Sequence, residues 1–397
     1  MNQSLLRLSQ IAQKESRIII GLMSGTSLDG LDVALCRFTG YGTATQAHVE
    51  RFSSIPYEAA FRERVKAIFS KRQVDLEQVC LMNAFIGSYH AELINACLAD
   101  WGVKAEEVDV IASHGQTIYH APASLHGISG MPNATLQIGD GDHIAVKTGI
   151  ITLSDFRQKH VAAGGEGAPL AVYGDYLLFS EKGKNRILLN IGGISNFTFL
   201  PGDLDTSRIF STDLGPGNTL MDAYVQAHFP GQTYDADAAI ATRGRYSAPL
   251  VEELLNHPFF GHSIPKTTGP ELFNLAYLEQ AQRKSDTTGL SPEDVMASLN
   301  RFTAEGIAKA VKDAGVEHDA EIFLSGGGMH NPLLLENLRD LLTAVPLRDT
   351  QALGILPDAK EAVLFATLAN ECLAAERIDF GSARIPSIRM GKISLPD

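Results

Sequence analysis

Cysteine is scarce in this sequence, and the few cysteines present do not pair along the chain. Cys36, Cys80, Cys97 and Cys372 stand far apart, and no two of them form a C-x-x-C motif. Most have apolar neighbours, which is typical of small buried side chains. The sequence therefore predicts neither a disulfide framework nor a zinc site, and it favours a reducing compartment such as the cytoplasm.

Long apolar runs and an excess of basic residues are also missing. No hydrophobic run approaches the length of a membrane span, so no membrane partner is expected. Residues 1–17 include Lys14 and Glu15 and lack a continuous apolar centre, unlike a signal peptide. The formal net charge of -13 disfavours a nucleic-acid partner. It does not exclude anionic ligands, because backbone amides and a few local cations can bind them.

Two common nucleotide-binding motifs do not occur. There is no G-x-x-x-x-G-K-[ST], which excludes a P-loop enzyme as far as sequence permits. The dinucleotide fingerprint G-x-G-x-x-G does not follow the first predicted strand. No tandem repeat of short period and no low-complexity tract is found.

The length and composition are those of a globular protein with two domains. The chain has 397 residues, of which 45% are hydrophobic and 20% charged. Apolar strand patterns alternate with helical patterns, which predicts an α/β fold. We expect a first lobe of residues 1–145 with 378–397, and a second lobe of residues 146–377.

The first glycine-rich turn lies between two apolar strand patterns in residues 18–35. Glycines at a hairpin tip let the backbone approach a ligand, and successive amides form an anion-binding concavity. Hydroxyl and carboxylate groups in the same turn suit phosphate and a magnesium ion. The alternative is an ordinary structural turn. The predicted nucleotide-binding residues are Gly25, Thr26, Ser27, Leu28, Asp29, Gly30, Leu31 and Asp32, with Asp29 as the candidate Mg²⁺ ligand.

Two further glycine turns follow predicted strands in the second half. One hairpin tip contributes the candidate phosphate-binding residues Gly192, Gly193, Ser195 and Asn196. The other turn, Gly326, Gly327, Gly328 and Asn331, would hold the nucleoside, and Asn331 also suits the N-cap of the next helix. Each cluster taken alone is better explained as a tight strand-to-helix turn. One hairpin in each half nevertheless suggests a duplicated domain around a central cleft.

Six short motifs occur in a specific order along the chain. They are residues 21–30 (GLMSGTSLDG), 114–117 (HGQT), 154–157 (SDFR), 191–196 (IGGISN), 213–218 (DLGPGN) and 325–328 (SGGG). Together, from near Arg17 to the C-terminus, they resemble the anhydro-N-acetylmuramic acid kinase family. The resemblance implies a two-lobed, actin-like ATPase fold, a duplicated ribonuclease H-like α/β architecture with a central nucleotide cleft. It also implies ATP and Mg²⁺ as cofactors, and a homodimer.

The resemblance implies a general base and a reaction. Family members act on the cell-wall sugar 1,6-anhydro-N-acetylmuramic acid, opening its anhydro bridge with water and phosphorylating O6 with ATP in cell-wall sugar recycling. The base would be Asp213, which follows a predicted strand and precedes a Gly-Pro-Gly turn. From the residues alone, an aspartate that only caps the following turn is as well supported.

The same resemblance suggests how the sugar is bound. Arg157 is the expected bidentate partner of the lactyl carboxylate, with Asp155 contacting hydroxyls or orienting Arg157. The alternative for these two is a surface ion pair. The remaining candidate sugar contacts are Gln116, Thr117, His114 and Glu361. A satisfied buried histidine and a first-turn helix acid are equally good interpretations of His114 and Glu361.

Other functions remain compatible with the glycine hairpins. Another sugar or acetate kinase of the same fold would keep them but not the Asp155-Phe156-Arg157 motif. A non-catalytic actin-like or chaperone-like ATP-binding protein would need insertions or a peptide-binding domain, for which this length leaves no room. A catalytically inactive sugar sensor is disfavoured by the intact Asp213 and both hairpins.

Overall fold

The computed structural model describes residues 2–269, 271–316, 320–374, 378–380 and 385–397. The strands are β1 (Ser16–Ser24), β2 (Gly30–Thr39), β3 (Gln46–Pro56), β4 (Val110–Ala121), β5 (Ala134–Ile138), β6 (Thr152–Ser154), β7 (Asn185–Ile191), β8 (Ile194–Leu200), β9 (Phe210–Pro216), β10 (Ala320–Ser325), β11 (Leu347–Asp349) and β12 (Lys392–Ser394).

Apart from α1, the helices lie in the segments that connect these strands. They are α1 (Gln3–Ala12), α2 (Ala59–Lys66), α3 (Leu76–Trp101), α4 (Ala123–His126), α5 (Gly141–Thr148), α6 (Phe156–Ala162), α7 (Ala171–Phe179), α8 (Thr219–His228), α9 (Ala248–Leu255), α10 (Leu275–Lys284), α11 (Pro292–Asp313), α12 (Pro332–Leu341) and α13 (Lys360–Ala374). Among the residues described, none of these helices has both the length and the apolarity needed to cross a bilayer.

The chain divides into two compact units, residues 1–179 with 354–397 and residues 180–353. This division differs from the predicted lobes, which assigned residues 146–179 and 354–377 to the second half. In the first unit β6 pairs with β4, and α13 packs on β1 and β2. Strand pairing and helix packing therefore bring these two segments to the first sheet, although they are distant from β1 along the chain.

The two units repeat one sheet topology. In the first unit five strands have the order β3-β2-β1-β4-β6, extended by β12 at the edge and by β5 against β4. In the second unit the order is β9-β8-β7-β10-β11. Each sheet begins with an antiparallel three-strand meander and continues with parallel neighbours. This is the ribonuclease H-like arrangement in duplicate, so the predicted fold class is confirmed.

Helices pack against both sheets, and on both faces of the first. In β1, Ile20 belongs to the core formed with α3 and α5. The next residue, Gly21, faces α13, where an added Cβ would lie 1.9 Å from the carbonyl oxygen of Ala362. In the second unit, α11 and α12 pack on the inner strands β7 and β10. The near-continuous apolar run of β1 is the sequence signature of a strand covered on both faces.

Candidate active site

The first predicted phosphate hairpin is the tip that joins β1 to β2. β1 ends at Ser24 and β2 begins at Gly30, which leaves residues 25–29 as the tip. Thr26, Ser27 and Asp29 are exposed there. The side chains of Leu28 and Leu31 are buried in the core of the first unit. These two leucines therefore anchor the hairpin, and only their backbone groups can face a ligand.

Gln116, predicted to bind sugar, lies beneath this hairpin. Its side chain is completely buried, and its Oε1 accepts a 2.5 Å hydrogen bond from the Ser24 hydroxyl. Its Nε2 donates to the carbonyl oxygen of Gly25 at 3.3 Å. The neighbouring Thr117 is half-buried and accepts a hydrogen bond from Gln137. The structure thus brings Gln116 to the predicted phosphate hairpin.

The second predicted hairpin joins β7 to β8 in the second unit. The loop that leads into α8 holds its tip, because the N–H groups of Asn218 and Gly217 donate to the carbonyls of Gly192 and Gly193, each at 2.8 Å. Ser195 is fully buried and its hydroxyl has no hydrogen-bond partner among the described residues. The amides of Gly192 and Gly193 stay at the exposed tip.

The third glycine turn connects β10 to α12. Gly326 has a φ of 84°, in the left-handed region that favours glycine. The Oδ1 of Asn331 accepts hydrogen bonds from the Leu334 amide at 2.9 Å and from the Asn300 side chain at 3.0 Å. The predicted N-cap is confirmed, and only the amide NH₂ of Asn331 stays available for a ligand.

The predicted glycines fall into two groups by the space around them. A Cβ added to Gly25, Gly192 or Gly327 would meet no described atom closer than 3.5 Å, 3.6 Å and 3.7 Å respectively. At Gly30 it would lie 2.4 Å from the Ile55 carbonyl oxygen, and at Gly328 2.3 Å from the Ile191 side chain. Packing therefore requires the second group, whereas the fold leaves open backbone at the first. Open backbone of this kind is what a closely approaching phosphate or nucleoside needs.

Asp213 lies in β9, and one of its carboxylate oxygens has no protein partner. Its Oδ2 accepts a 2.9 Å hydrogen bond from the backbone N–H of Thr268. Within the described chain, no group donates to Oδ1. Burial raises the pKa of Asp213 above its usual value, opposed by the hydrogen bond from Thr268. An oriented carboxylate with one free oxygen and a raised pKa suits a general base.

Two residues of this region were missed by sequence reasoning. Thr268 fixes Asp213, and its own hydroxyl is buried without a partner among the described residues. Asn190 pairs across the sheet with Ser325 on one side and Asn196 on the other, and Asn196 pairs in turn with Asp213. Asn190 could have been noticed as a polar residue at the end of an otherwise apolar strand. For Thr268 there was no such signal, since it comes from an irregular segment.

In the first unit, Arg157 is held by His114 and the loop after α6. Its Nε donates to His114 Nε2 at 3.0 Å, and its Nη1 donates to the Gly167 carbonyl at 2.7 Å. No described residue accepts a hydrogen bond from Nη2. Burial and the neighbouring guanidinium hold the pKa of His114 well below its usual range, so it is a neutral acceptor. Burial lowers the pKa of Arg157 to about 10, partly offset by Glu361, so the guanidinium stays charged at neutral pH.

Asp155 does not orient Arg157. It has a left-handed backbone, φ 53°, immediately before α6, and its Oδ2 accepts a 2.5 Å hydrogen bond from Lys392. Its other oxygen is buried without a partner among the residues described. Asp155 also lines a cavity of about 580 Å³ in the first unit, together with His114, Gln137 and other residues. The predicted pairing with Arg157 is therefore replaced by a pairing with Lys392.

Asp32 is a second acidic residue beside the first hairpin, and burial distinguishes it from the predicted Mg²⁺ ligand Asp29. Asp29 is exposed at the hairpin tip, whereas Asp32 is half-buried in β2. Burial raises the pKa of Asp32, and the nearby Asp358 and Asp29 raise it further, against a hydrogen bond with Ser54. No cluster of three or more metal-ligating side chains occurs among the described residues. A single carboxylate suffices for Mg²⁺ when substrate phosphates and water supply the other ligands.

Glu361 lies in the first turn of α13, next to a buried ion pair. Loss of hydration raises its pKa, while Lys360 and Arg157 lower it. Lys360 is itself fixed by Asp175, with 3.0 Å between Nζ and Oδ1. Glu361 thus presents a carboxylate in the same unit as Arg157 and under its electrostatic influence.

The duplicated ribonuclease H-like fold, with glycine hairpins and an oriented carboxylate in β9, is that of actin-like ATPases and sugar kinases. Residues 17–379 match the sequence model of one family in this class, described as anhydro-N-acetylmuramic acid kinase. The chain belongs to this family.

Curated relatives extend over the whole chain. The anhydro-N-acetylmuramic acid kinase of Pseudoalteromonas atlantica is 57% identical over 401 residues, covering 100% of both chains. That of Pseudoalteromonas translucida is 53% identical, also with 100% of both chains covered. The more distant kinase of Caldanaerobacter subterraneus is 35% identical and covers 98% of this chain and 100% of its own.

Proposed function

We propose that this protein is an ATP-dependent kinase that opens 1,6-anhydro-N-acetylmuramic acid with water and phosphorylates O6. The products are N-acetylmuramic acid 6-phosphate and ADP. The unpartnered oxygen of Asp213, on a carboxylate oriented by Thr268, is the observation that carries the proposal. The expected homodimer stays a prediction from the resemblance, and the cytoplasmic location stays a prediction from the sequence composition.

Open backbone at its glycine turns is the feature of each unit that supports ATP binding. Gly25 and Gly192 let the hairpin amides approach the phosphates, and Gly327 leaves room for the nucleoside. The lack of any steric need for glycine at these positions supports this assignment. Bound Mg²⁺ would neutralise charge on the phosphate oxygens, and Asp32 is the residue that would hold it.

Asp213 acts as the general base. Its ionised carboxylate accepts a proton from water, and the water oxygen forms a bond to the anomeric carbon C1. The bond between C1 and O6 breaks, and O6 keeps the electron pair. O6 then attacks the γ-phosphorus, the bond to the bridging oxygen of ADP breaks, and Asp213 releases the proton to solvent. One carboxylate thus activates the water, and the leaving oxygen becomes the phosphoryl acceptor.

Arg157 recognises the lactyl carboxylate of the sugar. Its Nη2 is available, while His114 and Gly167 fix the other two guanidinium nitrogens and so set the plane of the fork. A neutral His114 accepts the Nε hydrogen bond without adding a competing charge. Thr117, Asp155 and Glu361 are the further candidates for sugar contacts.

The test is an incubation of the purified protein with ATP, Mg²⁺ and 1,6-anhydro-N-acetylmuramic acid in water enriched in ¹⁸O. We expect ADP and a ring-opened 6-phosphate in equal amounts, with no ¹⁸O in the product phosphate, because water attacks carbon and not phosphorus. Labelled inorganic phosphate would indicate simple ATP hydrolysis. Turnover with a free hexosamine but not with the anhydro sugar would reject the assignment.

A further inference from the structure

Four buried polar side chains form a hydrogen-bond chain from α3 to the first hairpin, and the proposed reaction does not use it. His90, Tyr57, Ser24 and Gln116 are each at most 3% exposed. The Tyr57 hydroxyl lies 2.9 Å from His90 Nε2 and 2.8 Å from the Ser24 hydroxyl. Ser24 is in turn 2.5 Å from Gln116 Oε1. A buried polar chain of this length is retained at a cost in desolvation, which each hydrogen bond offsets.

The hydrogen bonds of this chain all run in one direction. Tyr57 donates to Ser24, and Ser24 donates to Gln116. The Tyr57 oxygen must therefore accept from His90, which places the His90 proton on Nε2. Burial lowers the pKa of His90 to about 4, so the ring is neutral, and its bare Nδ1 has no partner among the described residues. The last donor is the Gln116 amide, which donates to the carbonyl of Gly25.

This last hydrogen bond holds a peptide plane at the hairpin tip, together with a 3.4 Å hydrogen bond that the Leu28 N–H donates to the same Gly25 carbonyl. The Gly25 carbonyl and the Thr26 N–H belong to one planar trans peptide and point in opposite directions. Because the carbonyl is turned inward to Gln116, the Thr26 N–H is turned outward. That N–H has no hydrogen-bond partner in the described part of the chain, and Thr26 is exposed.

We infer that Gln116, oriented through Ser24, Tyr57 and His90, is a positioning residue that aims the Thr26 amide at a phosphate group of the bound nucleotide. The inference rests on the proposed function, in which this hairpin binds ATP. It assigns Gln116 to the nucleotide side of the reaction and not to the sugar, where the sequence placed it. An amide held in this orientation before binding needs no reorganisation when the anion arrives.

The decisive comparison is Tyr57→Phe with Tyr89→Phe. Both variants lose one phenolic hydroxyl in the same aromatic cluster, where the rings of Tyr57 and Tyr89 lie 6.1 Å apart. Only the Tyr57 hydroxyl is part of the hydrogen-bond chain that ends at Gln116. Affinities for a non-hydrolysable ATP analogue and for adenosine are measured by calorimetry. We expect Tyr57→Phe to weaken binding of the analogue about tenfold, as for loss of one charge-assisted hydrogen bond between the Thr26 amide and a phosphate. The affinity for adenosine, which has no phosphate, should stay unchanged. Tyr89→Phe should leave both affinities unchanged.

Ser24→Ala is a second variant that interrupts the same hydrogen-bond chain with little loss of packing. Alone it should reproduce the selective loss of affinity, and combined with Tyr57→Phe it should cause no further loss, since both act through Gln116. Additive losses, equal losses for the analogue and adenosine, or no difference between Tyr57→Phe and Tyr89→Phe would each overturn the inference. Because the assay contains no sugar, failure of the wild-type protein to bind any nucleotide would instead refute the proposed function.

Discussion

The backbone N–H of Thr268 donates a 2.9 Å hydrogen bond to Oδ2 of Asp213 and leaves Oδ1 of that carboxylate without a described partner. The two residues are separated by 55 positions in the chain. The hydrogen bond orients the carboxylate and lowers its pKa, while burial raises it. In the proposed reaction, this free oxygen is the atom that accepts the proton from water.

Asp213→Asn should bind ATP normally and lose turnover by about a thousandfold. The asparagine carbonyl can still accept the hydrogen bond from Thr268, but the amide cannot take a proton from water. The measurement is kcat by ADP release, with ATP affinity measured separately. Asp203→Asn, a change at an exposed carboxylate of the same unit, is the control and should be neutral. Retained turnover in Asp213→Asn would remove this residue as the base.

Arg157→Lys should lose preference for the lactyl carboxylate. The lysine keeps the positive charge but not the planar fork that His114 and Gly167 orient. We expect kcat/KM for the anhydro sugar to fall between about tenfold and a hundredfold. The comparison substrate is 1,6-anhydro-N-acetylglucosamine, which has no lactyl group. If the variant discriminates between the two sugars as well as the wild type does, Arg157 does not bind the carboxylate.

Gly192→Ala and Gly328→Ala should separate ligand binding from packing. The added methyl group meets no atom within 3.6 Å at Gly192, but it lies 2.3 Å from the Ile191 side chain at Gly328. Gly192→Ala should therefore weaken ATP binding without changing the Tm. Gly328→Ala should destabilise the fold by about 1–3 kcal/mol. Thermal unfolding and ATP titration of both variants check this, and an equal loss of Tm would contradict the distinction.

Asp32→Asn should raise the Mg²⁺ concentration needed for half-maximal activity by at least about tenfold. Asp32 is half-buried beside the hairpin, with Asp29 and Asp358 near enough to raise its pKa, and this environment favours a bound cation. The same titration on Asp29→Asn tests the assignment made from sequence. A larger shift in Asp29→Asn than in Asp32→Asn would restore that assignment.

Asp222→Asn should stabilise the protein at alkaline pH and not in acid. Burial raises the pKa of Asp222 from 3.8 to about 6, so the folded state binds more protons than the unfolded state between these values. The free energy of unfolding of the wild type therefore falls as the pH rises through this range. Asparagine removes the negative charge that Asp222 carries in the folded state once the pH exceeds about 6. We expect a higher Tm than wild type at pH 8 and an unchanged Tm at pH 4; equal gains at both would refute the cause.

The order of elements was readable from the chain because it depends on local pattern. Apolar strand runs, glycine turns and the Asn331 cap are set by neighbours a few residues apart, and the structure confirms the duplicated α/β fold built from them. Six motifs in order were sufficient to indicate the family. Local pattern placed Asp213 just past the end of a strand, whereas the structure places it within β9, which continues to Pro216.

Tertiary structure alone decided which of these residues meet. Gln116 bonds to Ser24, 92 positions away, Thr268 reaches Asp213 from an irregular segment, and Asp155 pairs with Lys392 instead of Arg157. The boundary between the units likewise follows from α13 packing on β1. Such contacts depend on strand register and helix packing between distant segments, which residue spacing does not encode. The sequence determined the kinds of groups present, and the packing of the sheets determined which of them became partners.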